Sequence, residues 1–139
     1  MSDQKQIMQQ MLQDVVDTFS PDPSNIRSVS DTNCIYFPDK DQQGTSPGCA
    51  IGMYIPWSKE KYFKGFLNDE TVDTLLEDFP ELLPKWMRSL PAEFLSDLQF
   101  LHDNHIFWAD KGLSEKGIEH VIYVEKVWKL NSIKIKKYK

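Results

Sequence analysis

The residues best suited to chemistry fall in three short motifs: Asn33-Cys34-Ile35-Tyr36, Gly48-Cys49-Ala50-Ile51-Gly52 and Leu98-Gln99-Phe100-Leu101-His102-Asp103. Both cysteines of the chain and one of its three histidines belong to this set. Two thiolates and an imidazole are three of the four ligands that tetrahedral zinc requires, with Asp103 or His105 as the fourth. The spacing matches no zinc motif and no Cys-x-x-Cys pair occurs, so neither a metal nor another cofactor is expected. A thiol enzyme needs a cysteine activated by His102 and a carboxylate to orient the ring. Asp103 is the next residue along and is predicted on a different side of the helix, a poor place from which to orient His102. The catalytic set His102, Asp103 and Cys49 is therefore the alternative reading.

The simpler reading is structural. Reduced cysteines behave as small buried hydrophobes, and a histidine on an apolar helix face commonly ties its helix to a neighbouring loop. Cys34, Cys49, Gly52, Gln99, His102 and Asp103 would then form a clasp between a hairpin and a helix, with Asp103 capping the turn that follows.

The elements that position these residues follow from hydrophobic period and from proline. Ile7, Met8, Met11, Leu12, Val15, Val16 and Phe19 recur every three or four positions, predicting a helix over 3–19 capped by Ser2 and ended by Pro21 and Pro23. Cys34–Phe37 and Cys49–Ile51 are short apolar runs divided by turn formers, predicting a β-hairpin with a long loop. Asn68 is placed to cap a helix carrying Val72, Leu75, Leu76 and Phe79, stopped by Pro80. Around Pro84 one or two short helical turns are expected. From Pro91 onward, Phe94, Leu95, Leu98, Leu101, His102 and His105 are predicted to share one helical face, with Gln99 and Asp103 pointing away from it. Ser114 is placed to cap a last helix with Val121, Val124 and Trp128 buried. The expected fold is α+β but mainly α, a single domain over 1–139 with four to six helices and one small hairpin.

Charge is divided along the chain. Lys126, Lys129, Lys134, Lys136, Lys137 and Lys139 give +6 after Glu125, which leaves −11 on residues 1–125 of a chain whose net charge is −5. An acidic body does not suit a broad nucleic-acid face, and only weak contact by the lysine-rich segment is expected. The basic tail, about 131–139, is expected to be solvated and dispensable for stability. No charged start with an apolar run, and no apolar stretch of spanning length, is present, so a cytoplasmic protein without membrane association and with reduced cysteines is expected.

Three stretches together, Cys34-x-Tyr36, Cys49-Ala50-Ile51-Gly52 and Asp97-Leu98-Gln99-Phe100-Leu101-His102-Asp103, with Thr74–Leu82 between them, resemble a family of small uncharacterised bacterial and phage proteins. The resemblance covers about residues 31–104. Members of that family commonly carry a basic residue near the position of Met53. The resemblance implies a phage or prophage accessory protein of mainly helical fold with a small hairpin, and no mechanism.

The chain carries no phosphate loop, nucleophile elbow or dinucleotide fingerprint. The function expected is binding of a protein partner through an acidic surface, Asp69, Glu70, Asp73, Glu77, Asp78 and Glu81, and through exposed aromatics such as Trp57, Tyr62 and Trp108. A small hydrolase or metal-dependent enzyme built on His102, Asp103 and a cysteine is the alternative.

Overall fold

The computed structural model describes residues 3–23, 29–30, 33–34, 36–37, 48–63, 67 and 70–135. Helix α1, Asp3–Phe19, turns Met8, Met11, Leu12, Val15, Val16 and Phe19 into the core, as its apolar period dictates. Ser20 closes the last turn through its amide and hydroxyl, both donating to the Val16 carbonyl. The predicted cap Ser2 lies outside the described residues.

Downstream the helices are short because prolines punctuate them. Helix α2 is the single turn Glu60–Tyr62, α3 runs Val72–Asp78 and α4 is Lys85–Arg88. Helix α5 spans Ala92–Asp103 and α6 spans Glu115–Val127. Short 3₁₀ turns at Gly52–Tyr54, Pro80–Leu82 and His105–Phe107 join them. The cap of α3 is Thr71, whose hydroxyl accepts from the Thr74 amide at 3.3 Å. Asn68, the expected cap, lies outside the described residues. Pro91 stands one position before α5 proper, and Ser114 caps α6 by accepting from the Gly117 amide at 3.1 Å.

The expected α+β class is overturned, because the described residues are mostly helical. Cys49-Ala50-Ile51 is not a strand. It begins a tight helical turn in which the Met53 amide donates to the Cys49 carbonyl and the Tyr54 amide to the Ile51 carbonyl, each at 3.0 Å. A short apolar run between glycines suits a buried turn as well as a strand, and length alone does not separate them. Extended pairing among the described residues amounts to a two-residue ladder, Val29–Ser30 against Asn33–Cys34, and a single bridge between Trp108 and Leu113. Cys34 thus pairs along the backbone with Val29, not with Cys49. Residues 38–47, the expected hairpin loop, lie outside the described residues.

Helix α5 is the central element, packing against α1, α3, α6 and the 33–34 segment. Surrounded on several sides, it buries a broad arc: Phe94, Leu95, Leu98, Gln99, Leu101 and His102. Helix α6 closes onto it through Val121 and Val124. Gly117 lets α6 approach the His105–Phe107 turn, since a Cβ there would collide with the Phe107 carbonyl.

The expectation of a dispensable segment from 131 onward is also corrected. Ile133 and Ile135 pack against the core. The Ile133 amide donates to the buried Glu125 carboxylate at 2.6 Å. Gln13 and Lys134 exchange two hydrogen bonds, side-chain amide to backbone, at 2.7 and 2.8 Å. An Ile-x-Ile alternation next to lysines is what a half-buried extended segment needs, one side apolar and the other charged. Residues 136–139, with Lys136, Lys137 and Lys139, lie outside the described residues. Among the described residues, no helix is long and apolar enough to cross a membrane.

Candidate functional site

Around Tyr36 the structure gathers most of the three sequence motifs. The Tyr36 ring is fully buried, tilted against Phe63 with centroids 5.2 Å apart. Its hydroxyl donates to the Glu70 carbonyl at 2.7 Å and accepts from Gln99 Nε2 at 2.8 Å. Gln99 Oε1 in turn accepts from the Val72 amide, the first residue of α3, at 3.3 Å. Burial pushes the Tyr36 hydroxyl far above its ordinary value, opposed by the Gln99 bond and helped by the carboxylates of Asp103, Glu70 and Asp73. It is a neutral link, with no chemistry to offer near neutral pH.

The prediction that Gln99 points away from the core is therefore corrected: it is buried and joins α5 to α3 and to Tyr36. A polar residue inside an apolar arc is tolerated when its amide is satisfied at both ends. Gly52 serves the same centre, because a Cβ on it would stand 2.5 Å from the Tyr36 carbonyl oxygen. Cys49 is fully buried, its sulfur 3.3 Å from the Gly52 amide.

Cys49 is disulfide-bonded, where the sequence reading expects a thiol. The only other cysteine is Cys34, whose side chain lies outside what the structure describes. A sulfur held in a disulfide is neither a thiolate nucleophile nor a zinc ligand. Among the described residues, no group of three or more His, Cys, Asp or Glu side chains is placed to hold a metal ion.

His102 is fully buried with its ring edge-on to Phe19 at 4.7 Å. Its Nδ1 lies 2.8 Å from Asp103 Oδ1, so Asp103 does orient it, contrary to the prediction from helical geometry. The two are sequence neighbours in the last turn of α5, where no following turn blocks the Asp103 side chain from folding back. The expected cap of the His105–Phe107 turn is not made: Asn104 precedes that turn without a side-chain cap, and its side-chain amide instead closes the end of α5 by donating to the Phe100 carbonyl at 3.0 Å.

The acidic surface is partly described. Asp73, Glu77, Asp78 and Glu81 are exposed and Glu70 is half-buried. Asp69 and the Trp57 side chain lie outside the described residues; of the other expected surface aromatics Tyr62 is exposed, whereas Trp108 is buried with its indole N–H donating to the Leu101 carbonyl at 2.8 Å, so it belongs to the core. Helix α3 carries Glu77 and Asp78 in its last turn and no basic residue there. Carboxylates at a helix C-terminus face the negative end of the dipole, where cations are preferred. Among the described residues no lysine or arginine forms an ion pair with Asp73, Glu77, Asp78 or Glu81.

Sequence reasoning missed a second group. Tyr54 Oη donates to Asp14 Oδ2 at 2.9 Å, and Trp86 stands perpendicular to the Tyr54 ring with centroids 5.4 Å apart. Asp14 reads as one more polar residue on the outer face of α1, and Trp86 as part of an apolar run between prolines, so neither carries a signal in the sequence. No protein-family model matches the chain, and neither a curated protein nor a solved structure matches it.

Proposed function

We propose that this protein is a binding protein that engages a basic protein partner through the acidic edge formed by Asp73, Glu77, Asp78 and Glu81. The observation that carries the reading is the placement of Glu77 and Asp78: exposed, without ion pairs among the described residues, and at the helix end that disfavours them. Charges kept against local stability are the kind a binding surface retains, because functional positions are rarely optimal for folding. Long-range attraction from such an edge speeds encounter with a cationic partner.

The motif resemblance adds an origin to the proposal, an accessory protein of a phage or prophage. The cytoplasm is the compartment proposed. Glutathione there would hold Cys49 as a thiol; protein isolated from cells with Cys49 oxidised would move the proposal to an oxidising compartment. The hydrolase alternative has the His102–Asp103 contact in its favour. Against it stands the zero exposure of both His102 and Cys49, which leaves a substrate neither a base nor a nucleophile to reach.

Affinity capture with the wild-type chain and with the Glu77→Lys/Asp78→Lys variant tests the proposal. A basic partner should be retained by the wild type, released by salt and lost from the variant, while the variant melts no lower than the wild type. Retention of the same partners by both chains would overturn the acidic-edge reading.

A further inference from the structure

The face opposite the fold's buried centre carries a pocket of about 270 Å³ lined by Ile7, Gln10, Met11, Asp14, Tyr54 and Trp86. It lies between α1 and the Gly52–Tyr54 turn, with α4 contributing Trp86. Two aromatic rings standing at 90° line it, and Trp86 is 40% exposed, so part of its indole is open to solvent. Ile7 and Met11 are its apolar floor. A single carboxylate, Asp14, supplies its charge.

That carboxylate is engaged in an uncommon way. Oδ1 accepts from Gln10 Nε2 at 2.7 Å and Oδ2 accepts from Tyr54 Oη at 2.9 Å. Both partners are neutral. Burial and the Asp14 bond hold the Tyr54 hydroxyl far above its ordinary value, so it remains a proton donor. Among the described residues no lysine or arginine reaches Asp14. The pocket thus holds a carboxylate each of whose oxygens already accepts one hydrogen bond from a neutral donor.

From this arrangement we infer that the Tyr54–Trp86–Asp14 pocket binds an alkylated ammonium group, as found on a choline-like small molecule or a methylated lysine side chain. A primary ammonium carries three donors and would leave some of them unsatisfied against Ile7, Met11 and two ring faces, a costly outcome on desolvation. An alkylated ammonium needs no acceptors. It asks for negative potential, π faces and apolar contact, and these are what the pocket offers. The volume is several times the ~30 Å³ share of one water in the liquid, enough for a trimethylammonium head. The inference is independent of the acidic edge on α3 and goes beyond the partner-binding proposal.

The test is a titration of the isotope-labelled full chain followed by NMR, with the Trp86 indole resonance assigned from its loss in Trp86→Phe. Choline and a short peptide carrying trimethyl-lysine are the two probes. The uncharged carbon isostere of choline, 3,3-dimethylbutan-1-ol, and the unmethylated peptide are their controls. Saturable shifts of Trp86 and Tyr54 with at least one charged probe, weaker with its control, support the inference; whichever probe binds more tightly identifies the source. Asp14→Asn keeps an acceptor for Tyr54 and should weaken the better probe about tenfold without lowering the melting temperature. Absence of saturable shifts with both charged probes, an equal response to the neutral isostere, or unchanged affinity in Asp14→Asn would sink it.

Discussion

Gln99 on α5 and Tyr36, 63 residues earlier in the chain, share a buried hydrogen bond of 2.8 Å, and the same Gln99 side chain holds the first amide of α3. One side chain therefore connects three segments that are distant in sequence, and neither end of its amide is replaceable by packing alone.

Replacing Gln99 by Leu should strand the Val72 amide in the interior and remove one of the two hydrogen bonds of the Tyr36 hydroxyl, which keeps the Glu70 carbonyl, lowering stability by about 1–3 kcal/mol. Tyr36→Phe should cost less, since it removes one hydroxyl and keeps the ring against Phe63. In a double-mutant cycle read by chemical denaturation, the two losses should be clearly non-additive. Additive losses would mean that the two residues act separately.

His102→Ala should lower stability by about 1–3 kcal/mol through lost packing on Phe19 and a carboxylate left without its partner. Partner binding should fall only in proportion to the folded fraction. A variant that stays fully folded and loses binding would assign His102 a direct functional role instead.

Deletion of the segment after Asn131 should lower the melting temperature clearly, because it removes Ile133 and Ile135 from the core and both bonds to Gln13. It also leaves the buried Glu125 carboxylate without the Ile133 amide. Gln13→Ala should reproduce a smaller part of the loss, about 0.5–1.5 kcal/mol. An unchanged melting temperature after the deletion would show that these contacts contribute nothing.

Acid sensitivity should come in part from His120. Its ring stacks on Phe107 at 4.8 Å, and Nε2 is buried with no hydrogen-bond partner among the described residues. Burial lowers its pKa from the ordinary 6.5, against a smaller upward pull from Asp97. The unfolded chain therefore takes up this proton first as pH falls. The stabilising contribution is complete above about pH 6.5 and is lost below it, down to the folded-state value. His120→Phe should flatten the stability profile over that window, as denaturant midpoints measured on either side of pH 6.5 would show.

How much of this was legible in the sequence depends on how local the signal was. Helices α1, α5 and α6 are set by apolar period and by caps within a few residues, and their positions follow from Val15, Leu98 and Ser114 without reference to the rest of the chain. The Cys49–Ile51 turn was misread because its conformation is set by the Tyr36 backbone packed against Gly52, a contact between segments. Gln99 was misplaced for the same reason: a glutamine inside an apolar arc looks exposed until its distant partners are known. Asp103 was misjudged because interior helix geometry does not hold at a helix's last residue. The Asp14, Tyr54 and Trp86 pocket draws one side chain from each of three segments and has no linear pattern at all.

The exchange of hydrogen bonds between Gln13 and Lys134 spans 121 positions. During synthesis α1 emerges long before Lys134, and its partners there cannot arrive until nearly all of the described chain has followed. Until then Met8, Met11, Leu12 and Val15 have no complete interior to enter, and the growing chain presents them to whatever else is near. Folding of this domain is therefore expected to be late and all at once, and chaperone dependence should fall mainly on the nascent chain before residues 133–135 have emerged.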